Sequence, residues 1–359
     1  MTSPLERIAS LRVRSHRTLD HPAWPLSAAQ LAARDAVLHR YDNGDLLTEQ
    51  ASCLCGASDA LTLVDRDRYG LPAPNVMCRS CGIVRSTPRL SPDSLTSFYE
   101  HDYRELYSGS RTASSDFFTS MVAMGQRLRV YLHTQGVYAP AKVADVGCGA
   151  GGLLLPLRDA GYEVAGCDLG AEYLESGRSY GLDLRHGSYD VLADLAPFDL
   201  IILSHVLEHI ADVSAFLSGL QSLLTSDGLL YVELPGLYSI GHSYGDPLRY
   251  FQNAHLWSFD LSSLQRVMGN NGWTLAAGDE GIRSLFRLSG ISDPMSTGSS
   301  FSTNLLMLAK AERCRTVNGQ LLRLRQLRYF PSRERLRHVP RRLARSLTKP
   351  DSTTDPKCP

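Results

Sequence analysis

The sequence predicts an α/β fold: a doubly wound, mostly parallel sheet with helices on both faces, preceded by a small four-cysteine module and followed by a basic helical tail. Three observations carry this. From Ala141 onward short apolar strands alternate with helical segments. Four of the eight cysteines are gathered between Cys53 and Cys81. Twelve of the 37 Lys and Arg residues, against the single acid Glu334, lie between Arg313 and Lys349.

With 359 residues, 43% apolar and 21% charged, the chain has room for one large domain plus an accessory and is no disordered, collagen-like or coiled-coil sequence. No apolar run approaches the roughly 18 residues that span a bilayer. The N-terminal MTSPLERIASLRVRSHR is punctuated by arginines and lacks an apolar signal core, so a cytoplasmic location with reduced cysteines is expected.

Residues 1–50 read as a helical segment, with SAAQLAARDAVLHRYDNGD an amphipathic helix closed at Asn43-Gly44. Residues 51–90 form the cysteine module. SCLCG and CRSCG supply Cys53, Cys55, Cys78 and Cys81, and each pair is followed by a glycine, Gly56 or Gly82, that permits a tight turn. In a reducing compartment such clustering argues for a metal, and four thiolates meet the tetrahedral demand of Zn2+. The intervening LTLVDRDRYGLPAPNVM has two strand-like runs around a Gly-Leu-Pro break, as a zinc ribbon would. The first pair is C-x-C, a shorter chord than the C-x-x-C of the second, and a metal-free knuckle is the alternative.

Residues 91–140 read as a helical linker or lid opened by Ser91-Pro92-Asp93. Phe98, Tyr99, His101, Tyr103, Tyr107 and Phe117 either face a core or line a substrate pocket.

From residue 141 the repeat begins. KVADVGCGAGG is a strand running into a glycine loop, LLLPLRDAG a helix of about ten residues, and YEVAGCDLG a second strand ending in Asp168. A helix near Ala171 to Tyr180, strands LDLRHG and FDLIILS, a helix from Val213 to Leu224 and a strand GLLYVELPG follow. Ligands of such sheets bind at the carboxyl ends of the strands. Gly147, Gly149 and Gly151 allow close backbone approach, and Asp168 can accept both ribose hydroxyls of an adenosine. Alone, this identifies an adenosine-containing cofactor, NAD or S-adenosylmethionine. The loop is G-x-G-x-G, without the x-x-G of the dinucleotide fingerprint, and Asp145 precedes it where a carboxylate would hold an ammonium but repel a pyrophosphate. Both details favour the sulfonium cofactor. Cys148 and Cys167 read as small packing residues.

VADVGCGAGG, GCDLG, FDLIILSHVLEHI and GLLYVELPG, in this order, resemble the successive motifs of class I S-adenosylmethionine-dependent methyltransferases over about residues 115–310. The resemblance implies a Rossmann-like core over residues 141–312, with Asp145, Gly147, Gly149 and Gly151 facing the methionine part and Asp168 the ribose. It places Leu169 and the Gly187-Ser188 turn beside adenine, Ser204 and His205 beneath the sulfonium, and an antiparallel last strand within WTLAAGDEGIRSLFRL followed by NLLMLAKA. The whole layout, with CGIVRSTPRLSPDSLTSFYEHDYRELY and AHLWSFDLSSLQRVMGNNGW, is similar to methyltransferases of bacterial sugar and surface-polysaccharide pathways. Among these are zinc-containing C-methyltransferases of nucleotide-linked deoxysugars, where a His matching His255 serves as base. Here the chain ends about 50 residues beyond the core, without their second α/β domain, so O-methylation competes with C-methylation.

Methyl transfer needs alignment of nucleophile and methyl group, and a base where the nucleophile carries a proton. Histidine suits that task near neutral pH. His205, His209 and His255 are the candidates, with Glu208 orienting one of them; Glu208 and His209 alternatively cap the following helix. Arg249 and Tyr250 meet a phosphate or stack on a sugar or base, or simply pack their loop. The reading is a methyltransferase for a small acceptor, a nucleotide-linked sugar or surface-glycan precursor, with S-adenosylmethionine as cofactor and structural Zn2+. The alternatives are an RNA methyltransferase with a zinc knuckle and a non-catalytic cofactor-binding scaffold. Outside the stretch from Arg313 to Lys349 the chain carries 25 bases against 36 acids, which argues against a nucleic-acid partner. The basic tail, 313–359, is a candidate for peripheral membrane contact as a helix interrupted at Pro331 and Pro340. Oligomeric state is not legible.

Overall fold

The computed structural model of the protein describes residues 3–289 and 298–329. The expected breaks of the basic tail at Pro331 and Pro340 lie outside these residues.

The N-terminal segment is helical: α1 (Pro4–Ala9), α2 (Arg12–Ser15) and α3 (Ala28–Asp42). Ser27 and Gln30 make a reciprocal capping box at the start of α3, and Gly44, at φ +79°, turns the chain away just past its end. Strand β1 (Thr48–Glu49) leads into the cysteine module, whose β2 (Ala60–Arg66), β3 (Pro72–Cys78) and β4 (Val84–Ser86) are antiparallel. The β2–β3 hairpin turns at the Gly-Leu-Pro break. Strand β5 (Arg89–Leu90) pairs back with β1.

Helices α4 (Pro92–His101), α5 (Tyr103–Ser108) and α6 (Ser115–Thr134) follow; the Ser91 hydroxyl accepts the Ser94 amide to open α4. The repeat then runs β6 (Lys142–Val146), α7 (Leu155–Arg158), β7 (Glu163–Asp168), α8 (Ala171–Arg178), β8 (Asp183–His186), β9 (Phe198–Ser204), α9 (Val213–Gln221) and β10 (Leu224–Glu233). Strand β11 (Trp257–Ser258), α10 (Leu261–Asn270), β12 (Trp273–Gly278), β13 (Arg283–Leu288) and α11 (Phe301–Tyr329) complete the described chain.

The seven-stranded sheet has the order β12-β13-β10-β9-β6-β7-β8. Strands β6 to β10 pair in parallel, whereas β13 runs antiparallel to both β10 and β12. The expected α/β, Rossmann-like class is the observed one. Val143, Ala144, Ile201 and Ile202 at the sheet centre are fully buried, as strands covered on both faces require.

Two expectations are corrected. WTLAAGDEGIRSLFRL contains both β12 and β13, whereas NLLMLAKA is the start of helix α11. Leu305, Leu308 and Ala309 are buried while Leu306 is 58% exposed, a helical and not an alternating pattern. The helix in LLLPLRDAG is only α7, because the residues before it complete the glycine loop as turns and Pro156 sits in the first helical turn. In addition, β11 is the edge strand of the cysteine module's sheet, with the order β11-β4-β3-β2. A linear division at 51–90 omits this fourth strand.

Candidate functional site

The glycine loop joins the end of β6 to α7. The amides of Gly147 and Cys148 both donate to the Cys167 carbonyl, at 2.8 and 2.9 Å, and the Gly149 amide donates to Asp168 Oδ2 at 2.8 Å. Gly147, Gly149 and Gly151 all have positive φ, at 77°, 55° and 73°. A Cβ on Gly149 would meet only the tip of Met121, at 3.8 Å, so that face of the loop is open. Beside it Asp145 is 1% exposed, and its Oδ1 has no hydrogen-bond partner. Burial, then the neighbouring Asp168 charge, push its carboxyl up to about 8. An orphaned buried acid next to an open glycine loop fits the ammonium of an amino-acid moiety.

Asp168 ends β7. Its Oδ1 accepts the Gly170 amide at 2.7 Å and Arg104 Nη2, from α5, at 2.9 Å. The Arg104 guanidinium also lies 3.9 Å from the centre of the Tyr173 ring. Leu169 is 61% exposed at the mouth, and Ser188 is exposed in the turn after β8, with Gly187 bound to the Asp168 carbonyl. These placements fit an adenosine.

Ser204 ends β9, and His205 follows at φ +58°, a left-handed conformation that a non-glycine residue holds under strain. Here four candidate side chains converge. Glu208 is 1% exposed, and neither of its oxygens has a hydrogen-bond partner. His205 Nδ1 lies 3.5 Å and His209 Nε2 3.9 Å from Glu208 Oε1, and ligand atoms of Glu208, His209 and His255 all lie within 4.8 Å of one another. Burial opposes ionisation of Glu208, but His205 and the other imidazoles hold its carboxyl down at about 2. Desolvation disfavours charge on His205, yet the Glu208 carboxylate raises its pKa overall.

His209 Nδ1 is 2.8 Å from both the Ala254 carbonyl and the Tyr99 hydroxyl. A carbonyl only accepts, so Nδ1 carries the proton and the ring is fixed against the backbone next to His255. His255 is 8% exposed, with its ring centre 4.9 Å from that of His209. Burial first, and then His209, push its pKa well below the ordinary value, leaving a neutral imidazole at physiological pH. The helix-cap alternative for Glu208 and His209 fails: α9 is capped by Asp212, whose Oδ1 accepts the Ala215 amide at 3.0 Å.

Tyr99, Tyr103 and Tyr107 form a wall over this cluster, with ring centres 4.9 and 4.8 Å apart in succession. Tyr250, by contrast, is buried with its hydroxyl on the Pro235 carbonyl, and Arg249 Nε donates to the Ala23 carbonyl. Cys148 and Cys167 are buried packing residues, as expected.

In the cysteine module, Cys53 and Cys81 sulfurs are 3.5 Å apart, Cys55 and Cys78 sulfurs 3.6 Å, and all four lie within 4.8 Å of one another. A tetrahedron with Zn–S of about 2.3 Å has edges of about 3.8 Å. The four thiols therefore fit one ion despite the short C-x-C chord, and Gly56 and Gly82 take the positive φ values of 79° and 84° that close the two knuckles.

Sequence reasoning passed over Arg104, Arg68, Asp67 and Trp24. Arg104 was findable as the base within the tyrosine-rich DYRELY; the others sit in turns with no motif.

Residues 126–277 match a family model described as a methyltransferase domain. These residues form a class I S-adenosylmethionine-dependent methyltransferase domain. Among curated relatives, the ubiquinone biosynthesis O-methyltransferase of Ruegeria sp. (strain TM1040) is 34% identical over 121 residues, covering 32% of this chain and 48% of that protein. The enzyme of the same description from Bartonella bacilliformis is 31% identical over 102 residues, covering 26% and 41%. The chain thus spans about half or less of the curated relatives it matches. They are named for ubiquinone biosynthesis, and each covers a third of this chain or less. Similar solved structures include magnesium protoporphyrin IX methyltransferase from Synechocystis PCC 6803, at 20% identity and TM-score 0.38 over 54% of this chain and 97% of that one. Another is the 1,6-didemethyltoxoflavin-N1-methyltransferase of Burkholderia thailandensis, at 17% identity and TM-score 0.40 over 58% and 96%. Among the described residues no helix is long and apolar enough to cross a membrane.

Proposed function

We propose that the protein transfers a methyl group from S-adenosylmethionine to a hydroxyl or enolisable carbon of a small acceptor, with His255 as the base. The observation that carries this reading is a neutral, buried His255 held against His209 and Glu208 at the carboxyl end of the sheet. S-Adenosylmethionine, when bound, supplies an electrophilic methyl group on a sulfonium. Asp145, the Gly147–Gly151 loop and Asp168 hold its amino-acid and ribose parts. His255 takes the acceptor's proton, and the Glu208 carboxylate stabilises the imidazolium that results. His209, locked by Ala254 and Tyr99, keeps the base in place.

The acceptor we propose is a nucleotide-linked sugar or surface-glycan precursor, supported by the layout of cysteine module, tyrosine helices and AHLWSF segment. The names of the curated relatives favour a second reading, a phenolic quinone precursor, though they cover a third of this chain or less. We further propose structural Zn2+ on Cys53, Cys55, Cys78 and Cys81.

Calorimetry with S-adenosylmethionine and an acceptor screen test the reading. His255→Ala should lower turnover about 100-fold or more while leaving cofactor affinity within about twofold. Turnover within about threefold of the parent protein would remove His255 as base.

A further inference from the structure

The tip of the β2–β3 hairpin reaches across to the tyrosine wall and presents Arg68. Its guanidinium carbon lies 4.7 Å from the Tyr69 ring centre, 5.1 Å from Trp24 and 5.6 Å from Tyr107. Nη2 donates to the Tyr69 hydroxyl at 2.9 Å and Nη1 to the Arg249 carbonyl at 3.3 Å, both neutral acceptors. Nε is out of reach of solvent and has no partner. A guanidinium has five N–H donors, so three have no hydrogen-bond partner. Among the described residues no carboxylate lies within 4.0 Å of this cation; the adjacent Asp67 interacts with it only at longer range, its oxygens taken by the amides of Tyr69, Leu71 and Asn253 at 2.8, 2.9 and 3.0 Å. A partly desolvated charge without a counter-ion is costly, and a planar fork with open donors matches an oxyanion.

The same hydrogen bonds couple Arg68 to the base. The Arg68 amide donates to the Phe251 carbonyl at 3.0 Å, Asp67 holds the Asn253 amide, and the Ala254 amide donates to the Tyr107 hydroxyl at 3.3 Å. Arg68 and His255 are thus carried on one hydrogen-bonded body, close enough that the Arg68 charge is among the causes that lower the His255 pKa. The geometry points to Arg68 as the anchor for an oxyanion group, a phosphate or a carboxylate, on the methyl acceptor. This rests on the acceptor-site reading of the His255 pocket; it restricts the acceptor to an anion, held at one end while the reacting atom lies at the other.

The test uses the full-length protein without S-adenosylmethionine, so that it stands or falls separately from methyl transfer. Thermal unfolding is followed against inorganic phosphate and, separately, acetate, with chloride matching ionic strength. The parent protein should be stabilised by one or both in the millimolar range, phosphate alone indicating a phosphorylated acceptor and acetate alone a carboxylated one. Arg68→Gln should weaken that binding at least tenfold while leaving S-adenosylmethionine affinity within about twofold. Arg68→Lys, which keeps the charge and loses the fork, should weaken it at least threefold, and decides the matter if the Gln variant does not fold. No stabilisation of the parent by either anion, or an undiminished response in the variants, overturns the proposal.

Discussion

Arg104 and Asp168 meet at 2.9 Å beside the glycine loop, so the acid expected to receive ribose hydroxyls is already paired with a cation from α5. With the Gly170 amide also on Oδ1 at 2.7 Å, that oxygen's two lone pairs are filled. A ribose hydroxyl can donate to Oδ1 only if Arg104 swings away. Arg104→Ala should therefore tighten S-adenosylmethionine binding about threefold or more in calorimetry, whereas Asp168→Ala should lose it. Weaker binding in Arg104→Ala would show instead that the arginine helps to hold the cofactor.

Asp145 offers a proton-linked signature. Its carboxyl is pushed up to about 8, so at pH 7 the free protein carries it mostly protonated. An ammonium placed against it favours the carboxylate, so binding should release close to one proton. The apparent binding enthalpy at pH 7 should then differ between phosphate and Tris by nearly the difference in their ionisation enthalpies. Asp145→Asn should abolish that difference, and its absence in the parent protein would dismiss the assigned role.

Acid stability follows from the imidazole–carboxylate cluster. His255 has a folded pKa well below its unfolded value, so the unfolded chain binds more protons and stability is lost as pH falls below about 6.5. Glu208, lowered to about 2, contributes stability that is present above about 4.5 and lost progressively as pH falls from there through about 2. Between pH 7 and 5 the His255 effect dominates this pair. His255→Gln should flatten the decline in melting temperature over that range, and an unchanged slope would argue that the histidine is not desolvated.

The cysteine module can be separated from cofactor binding by experiment. Protein prepared without added metal should contain close to one equivalent of zinc. Cys81→Ser, or chelation, should remove the ion and with it turnover, because β4 pairs with β11 directly beyond His255. S-Adenosylmethionine affinity should stay within about threefold, since the glycine loop belongs to the other sheet. Fully retained turnover in metal-free protein would contradict a positioning role for the module.

Legibility in the sequence followed the range of the interactions. The glycine loop, Asp145 and Asp168 could be read because local backbone geometry demands those residue types at that spacing. The knuckles could be read because each thiol pair carries its own turn glycine. Arg68 could not: DRDRYG looks like any polar turn, and its meaning depends on Trp24, Tyr107 and Arg249, brought from three distant segments. The same holds for β11, two residues whose partner strand lies more than 170 positions earlier. NLLMLAKA was misassigned although its burial follows helical spacing, because the expected last strand came from family resemblance and not from that spacing.

Strand β11 also bears on synthesis and modularity. Until Trp257 and Ser258 are made, Arg85 and Val84 present an open strand edge, and the knuckles can close on a metal well before their sheet is complete. A fragment cut at residue 90 would carry all four cysteines yet keep that edge exposed, prone to pairing with other copies of itself. The module therefore cannot be lifted out as an autonomous cassette or grafted onto another enzyme without its distant closing strand, and the two sheets have to be inherited together.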